Sequence, residues 1–112
     1  RPVLLQNGLH DAQVHNQSTF LWARALGVPV LEPAPFAIQD LGTAAAPIDG
    51  SALALYDFGV PGDPAPTPTP PAVDTPPHNG LRLIPAAMAQ IDAFLRPGGS
   101  VVQTCSGPCD PE

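Results

Sequence analysis

Eight prolines crowd into the 19 residues from Gly59 to Pro77 (Pro61, Pro64, Pro66, Pro68, Pro70, Pro71, Pro76 and Pro77), and nothing else in the chain restricts its fold as strongly. Each fixes φ and withholds a backbone N–H, so residues 59–77 are expected to run extended, polyproline-like and solvated, outside any sheet or helix interior. Thr67, Thr69 and Thr75 lie between the prolines, a composition that suits a surface spacer. The sharper reading is a flap over a cleft, because the tract ends on Pro76-Pro77-His78-Asn79-Gly80. An Asn-Gly pair after two prolines favours a tight turn that would hold His78 outward. Regular structure must therefore come from the two flanks.

On the amino-terminal flank, Val3-Leu4-Leu5-Gln6-Asn7 reads as a short strand buried on both faces, broken at Gly8, with Asp11 delivered at its carboxyl end. Asn16-Gln17-Ser18 offers capping side chains to a helix over Thr19–Leu26, and Gly27 sits where a left-handed cap would end it. Trp22 is expected to pack. Val28-Pro29-Val30-Leu31 is a short extended segment whose proline suits a sheet edge. Glu32 to Gly50 carries Pro33, Pro35, Pro47 and an Ala44-Ala45-Ala46 run without period, and reads as an irregular connection. Ser51 to Phe58 is the second strand, with Leu53 and Leu55 on one face and Ala52, Ala54, Tyr56 and Phe58 on the other.

On the carboxyl-terminal flank, Leu81-Arg82-Leu83-Ile84 leads into a helix over Pro85–Arg96, Pro85 occupying the first turn, where its missing N–H costs nothing. Ile84, Met88, Ile91 and Leu95, with Ala87 and Phe94, recur at helical spacing, which predicts a core face and makes Met88 and Phe94 core residues. Pro97-Gly98-Gly99 ends the helix, and Ser100 to Gln103 is expected to add a short strand. Cys105-Ser106-Gly107-Pro108-Cys109 lacks the second ligand pair of a structural zinc site and reads as a small disulfide loop. So short a loop contributes on the order of 2 kcal/mol by chain entropy, enough to pin a tail that Pro111 would let fray. A disulfide in turn points to an extracellular or periplasmic location, the alternative being two reduced cysteines in a cytosolic tail.

At 112 residues the chain fits one modest domain whose strands are too few to close a doubly wound sheet unaided. A hydrophobic content of 44% argues against disorder. Lys+Arg is 4 against Asp+Glu 10, and Arg1, Arg24, Arg82 and Arg96 are scattered, which excludes the clustered positive charge that a nucleic-acid or anionic membrane surface needs. No apolar run approaches the roughly 20 residues of a transmembrane helix. The chain opens on Arg1-Pro2 directly before a strand with no initiator Met, which leads us to expect a processed or truncated amino terminus.

Read in order, the chain runs strand, loop with Asp11, helix, strand, loop with His78, helix. An imidazole acting as general base needs a partner on its other nitrogen to fix the tautomer and steady the imidazolium, and a buried aspartate is that partner in hydrolytic triads. Asp11 and His78 can meet if their strands are neighbours. His10 and His15 flank Asp11, but a spacing of five does not put two imidazoles on one helical face, so no metal site is expected. The rival to a catalytic pair is a secreted, acidic interaction module that docks its Pro/Thr tract on a partner.

Gly8-Leu9-His10-Asp11-Ala12-Gln13-Val14 looks like the G-x-x-D-x-x-V segment of α/β-hydrolases, in which the Asp is the triad acid. Pro77-His78-Asn79, followed by the helix ending Ile91-Asp92-Ala93-Phe94-Leu95, resembles the last catalytic loop and final helix of that fold. The resemblance covers nearly all of residues 1–112, as the carboxyl-terminal part of a secreted bacterial esterase- or lipase-like domain, with 59–77 as a proline-rich loop and 97–112 as the tail. It implies an α/β fold: part of a hydrolase-type sheet with flanking helices, incomplete without an upstream or partner segment. It also implies Asp11 and His78 as catalytic residues, a small ester substrate and no cofactor. The family's order of Ser, then Asp, then His agrees with what is present, but no G-x-S-x-G occurs and the oxyanion-hole segment is missing. Ser51 begins a strand and does not sit on a strand-to-helix elbow. The resemblance therefore places the nucleophile on another stretch of polypeptide.

Overall fold

The structure, a computed structural model, describes residues 1–62 and 69–110. It is built on four parallel strands, β1 (Leu4–Gly8), β2 (Val30–Glu32), β3 (Thr43–Ala45) and β4 (Ala52–Tyr56), in the order β1-β4-β2-β3. The first and last elements of the amino-terminal half thus lie side by side, from Leu4 opposite Ala52 to Gly8 opposite Tyr56. The pairing ends where the Leu9 N–H donates to the Tyr56 carbonyl at 2.8 Å. Helix α1 (Asn16–Leu26) covers one face of the sheet. On the other lie the helical turn α2 (Pro77–Gly80), a 3-10 turn over Leu81–Leu83, helix α3 (Pro85–Leu95) and the tail. No described helix is long and apolar enough to cross a membrane.

All five residues of β4 are buried, because it is flanked on both edges and covered on both faces. Its alternation separates two cores as the sequence predicts. Leu53 and Leu55 pack with Phe20, Ala23 and Val30, while Ala52, Ala54 and Tyr56 pack with Ala87, Val101 and Cys109. The small side chains Ala52 and Ala54 let α3 approach through Ala87, which is wholly buried. Gly27 ends α1 at φ 63, its N–H donating to the Ala23 and Arg24 carbonyls.

Other expectations need correcting. The Pro29 segment leads to β2, which is internal, between β4 and β3. Pro29 stands just outside the strand and contributes its carbonyl to the Leu53 N–H, so its lack of a donor does no harm. The connection from Glu32 to Gly50 holds an edge strand, β3, whose Thr-Ala-Ala sequence carries no alternation. Helix α1 begins at Asn16 and not Thr19, with the His15 ring as cap accepting from the Gln17 N–H, so the three residues read as caps form the first turn. Trp22 does not pack but is 64% exposed, since α1 turns Phe20 and Ala23 inward. The predicted face of α3 is also rotated. Met88, Ile91 and Leu95 are exposed, and Ala87 and Gln90 are the buried pair, with Phe94 half-buried. The tail forms a single antiparallel bridge from Val101 to Ile48 in place of a strand.

Burial of Gln90 has a specific cause. Its side chain accepts from Gln6 Nε2 at 2.9 Å and from the Tyr56 hydroxyl at 3.3 Å, and donates to the Val102 carbonyl at 2.8 Å. A polar group so fully matched can replace an apolar one in a core. Cys105 and Cys109 are disulfide-bonded, and the loop anchors the tail on β4, where the Asp57 N–H donates to the Cys109 carbonyl at 2.8 Å. Pro111 and residues 63–68 of the expected polyproline run lie outside the described residues.

Candidate active site

The carboxyl ends of β1 and β4, adjacent and parallel, release their loops at one rim of the sheet, the place where open α/β sheets gather functional groups. From β1 the chain passes through His10, which takes a left-handed φ of 64, and turns back toward α1. Asp11 holds that turn: its Oδ1 accepts from the Gln13 N–H at 2.7 Å and the Val14 N–H at 2.9 Å. One oxygen is thus spent on local structure. The other, Oδ2, lies 3.1 Å from Nδ1 of His78, 67 residues along the chain.

His78 arrives on α2, a helical turn where the sequence suggested a tight Asn-Gly turn. The proline pair starts a helix here: Pro76 is its cap, with helical φ and ψ, Pro77 is the first helical residue, and the Gly80 N–H donates to the Pro76 carbonyl at 2.8 Å. The turn can sit against β1 because Gly8 has no side chain. A Cβ there would stand 2.7 Å from the Cβ of Pro77 and 3.3 Å from the Phe58 ring. Gly80 is equally close-set, its place for a Cβ lying 2.9 Å from Phe58. Two glycines and one aromatic ring thereby bring the imidazole over the end of the first strand.

The Asp11 side chain is 12% exposed and that of His78 30%, so the carboxylate is sheltered and the ring reaches solvent. Among the described residues no polar atom is hydrogen-bonded to Nε2 of His78. That nitrogen is open to a group placed before it, while Nδ1 is held by Asp11. No serine hydroxyl among the described residues meets it. Ser51 precedes β4 and so lies at the opposite end of the sheet, roughly 16 Å away along five strand residues. Its Oγ accepts from the Val3 N–H at 2.8 Å.

The other histidines serve the scaffold. His15 caps α1, and the His10 ring packs against Gly62, where a Cβ would meet it at 3.0 Å. The described residues contain no group of three or more His, Cys, Asp or Glu side chains arranged to hold a metal. Sequence reading passed over Thr75. Its hydroxyl donates to the His10 carbonyl at 2.7 Å and accepts from the Ala12 N–H at 3.1 Å. Only a threonine at the end of a proline tract marked it, and nothing local shows where it points. No protein-family model, curated protein or solved structure matches this chain.

Proposed function

We propose that this chain carries the acid and the imidazole of a serine-hydrolase site, as the carboxyl-terminal part of an α/β-hydrolase-type sheet that cleaves carboxylic esters. The observation that carries the reading is the contact of Asp11 Oδ2 with His78 Nδ1, with Nε2 turned away from the acid. In the complete site a serine on another stretch attacks the ester carbonyl. His78 Nε2 takes the hydroxyl proton and returns it to the leaving alcohol, while Asp11 fixes the tautomer and stabilises the imidazolium. A geometry this specific favours a catalytic pair over a docking module, which has no need of the two loops meeting.

Two further features support a covering segment. Among the described residues β1 pairs with β4 alone, leaving its other edge unpaired. Beside that edge, Leu4, Gln6, Ile91, Phe94 and Leu95 line a shallow groove, and Met88, Ile91 and Leu95 form an exposed apolar row on α3. The disulfide is in keeping with export to an oxidising compartment, the periplasm or the cell exterior.

The test has two arms. The isolated 112-residue chain should not turn over an activated aryl ester, and turnover that is abolished by His78→Ala would contradict the proposal. A longer polypeptide containing this chain should be labelled by a fluorophosphonate on a serine outside it. There Asp11→Asn should lower kcat by roughly 10⁴-fold, the scale for a triad acid. Ester turnover indifferent to His78→Ala would sink the reading.

A further inference from the structure

We propose that Thr75 is a positioning residue for the Asp11–His78 pair, locking the two loops in register through its hydroxyl. The inference rests on the hydrolytic reading of that pair. Thr75 brackets Asp11: it donates to the carbonyl of the residue before and accepts from the N–H of the residue after, at 2.7 and 3.1 Å. The hydroxyl's one proton and one of its two lone pairs are thereby used across a sequence gap of more than 60 residues. Asp74 adds a second tie, its Oδ1 accepting from Gln13 Nε2 at 3.2 Å and from the Thr75 N–H at 3.0 Å.

The link from Thr75 to the imidazole is short and stiff. Only Pro76 and Pro77 intervene, both with φ held by the ring. Pro77 rests on Gly8, so the connector has little freedom to swing. A shift of the hydroxyl relative to the Asp11 turn is therefore passed to His78 with little damping. The bond lengths leave little slack, since Nδ1 already stands 3.1 Å from Oδ2 and contacts beyond about 3.5 Å are no longer hydrogen bonds.

A test independent of turnover reads the ring itself in the 112-residue chain, by nitrogen-15 NMR of His78 at about pH 8, where an imidazole is ordinarily neutral. The unmodified chain should show the proton on Nδ1 as a low-field resonance shielded from solvent. Thr75→Val keeps the shape and removes the hydroxyl. It should lose that resonance or speed its exchange about tenfold, as expected for one broken hydrogen bond. Thr75→Ser should retain the resonance. Thr75→Ala, which lets water reach the two freed backbone groups, should behave as the valine variant does and guards against a folding failure of the latter. A valine or alanine variant with an unaltered resonance overturns the proposal, as does a serine variant that loses it equally. Asp11→Asn separates the two layers. If it leaves the resonance unchanged, the Asp11–His78 reading itself fails. If it removes the resonance while Thr75→Val does not, only the role of Thr75 is lost.

Discussion

Adding one methyl group at Gly8 should separate the two loops of the site without substituting Asp11 or His78. A Cβ at position 8 would stand 2.7 Å from Cβ and 3.4 Å from Cα of Pro77, and ordinary contact begins near 3.4 Å. The neighbours must part by about 0.7 Å, the difference between 3.4 and 2.7. Pro77 is buried and its ring cannot rotate aside, so the turn bearing His78 moves as a unit. Carried to the imidazole, that displacement turns the 3.1 Å contact with Asp11 into one of up to about 3.8 Å, beyond hydrogen-bond range. Overpacking of this kind costs about 1–3 kcal/mol. Gly8 has no positive φ, so alanine recovers about 0.4–1 kcal/mol of unfolded-state entropy, and the net loss is about 1–2 kcal/mol. Gly42→Ala is the control, because its Cβ would meet nothing within 4 Å. Urea unfolding should place Gly8→Ala below the parent and Gly42→Ala level with it or above. The His78 Nδ1–H resonance should vanish only in the former. Equal stability of the two variants, with the resonance intact in both, would refute the claim that a bare backbone at position 8 sets the position of His78.

Two other outcomes follow from the second core. Gln90→Leu leaves the half-buried Val102 carbonyl without its donor and removes one of the partners of the Tyr56 hydroxyl, which should cost about 1–3 kcal/mol in urea unfolding, although the substitution is polar to apolar. Burial pushes the Tyr56 phenol above its usual 10.0, partly offset by hydrogen bonds to Thr104 and Gln6, so the folded chain keeps a proton that the unfolded chain gives up. Stability should be full below about pH 10 and fall as pH rises further, and Tyr56→Phe should flatten that slope in a pH series of unfolding midpoints.

What the sequence disclosed and what it hid divide along a physical line. The faces of β4, the Gly27 cap and the Pro85 start of α3 depend on neighbours within a few residues, and each reads correctly from the chain. The rotation of α3 does not. Counted by hydrophobicity, Met88, Ile91 and Leu95 outrank Ala87 and Gln90, yet the sheet opposite offers Ala52 and Ala54, which admit only a closely approaching small residue, and the Tyr56 hydroxyl, which needs an acceptor. Strand β3 has three residues and no alternation, so it forms because β2 presents a free edge. At the site, Asp11 and His78 could be paired by element order, whereas the Gly8–Pro77 approach and the Thr75 bridge are long-range contacts with no local signal.

A purely structural account of the pair must explain why the second oxygen of Asp11 is used at all. The turn from β1 into α1 is closed by Oδ1 through the Gln13 and Val14 N–H groups, so a capping aspartate has finished its task before His78 arrives. A partly exposed side-chain contact of this kind contributes only about 0–1 kcal/mol to stability. The choice of nitrogen points the same way. Contact through Nδ1 leaves Nε2, the ring's outer nitrogen, directed away from the carboxylate, which is what proton transfer to a third group demands and what stability does not. Asparagine at position 11 separates the two accounts. Its amide oxygen can still accept the two backbone N–H bonds and preserve the turn, while its NH₂ faces Nδ1 as a donor and drives the ring proton to Nε2. Fold stability and ring chemistry then part company, and only a site whose purpose lies in the ring would lose its function while keeping its shape.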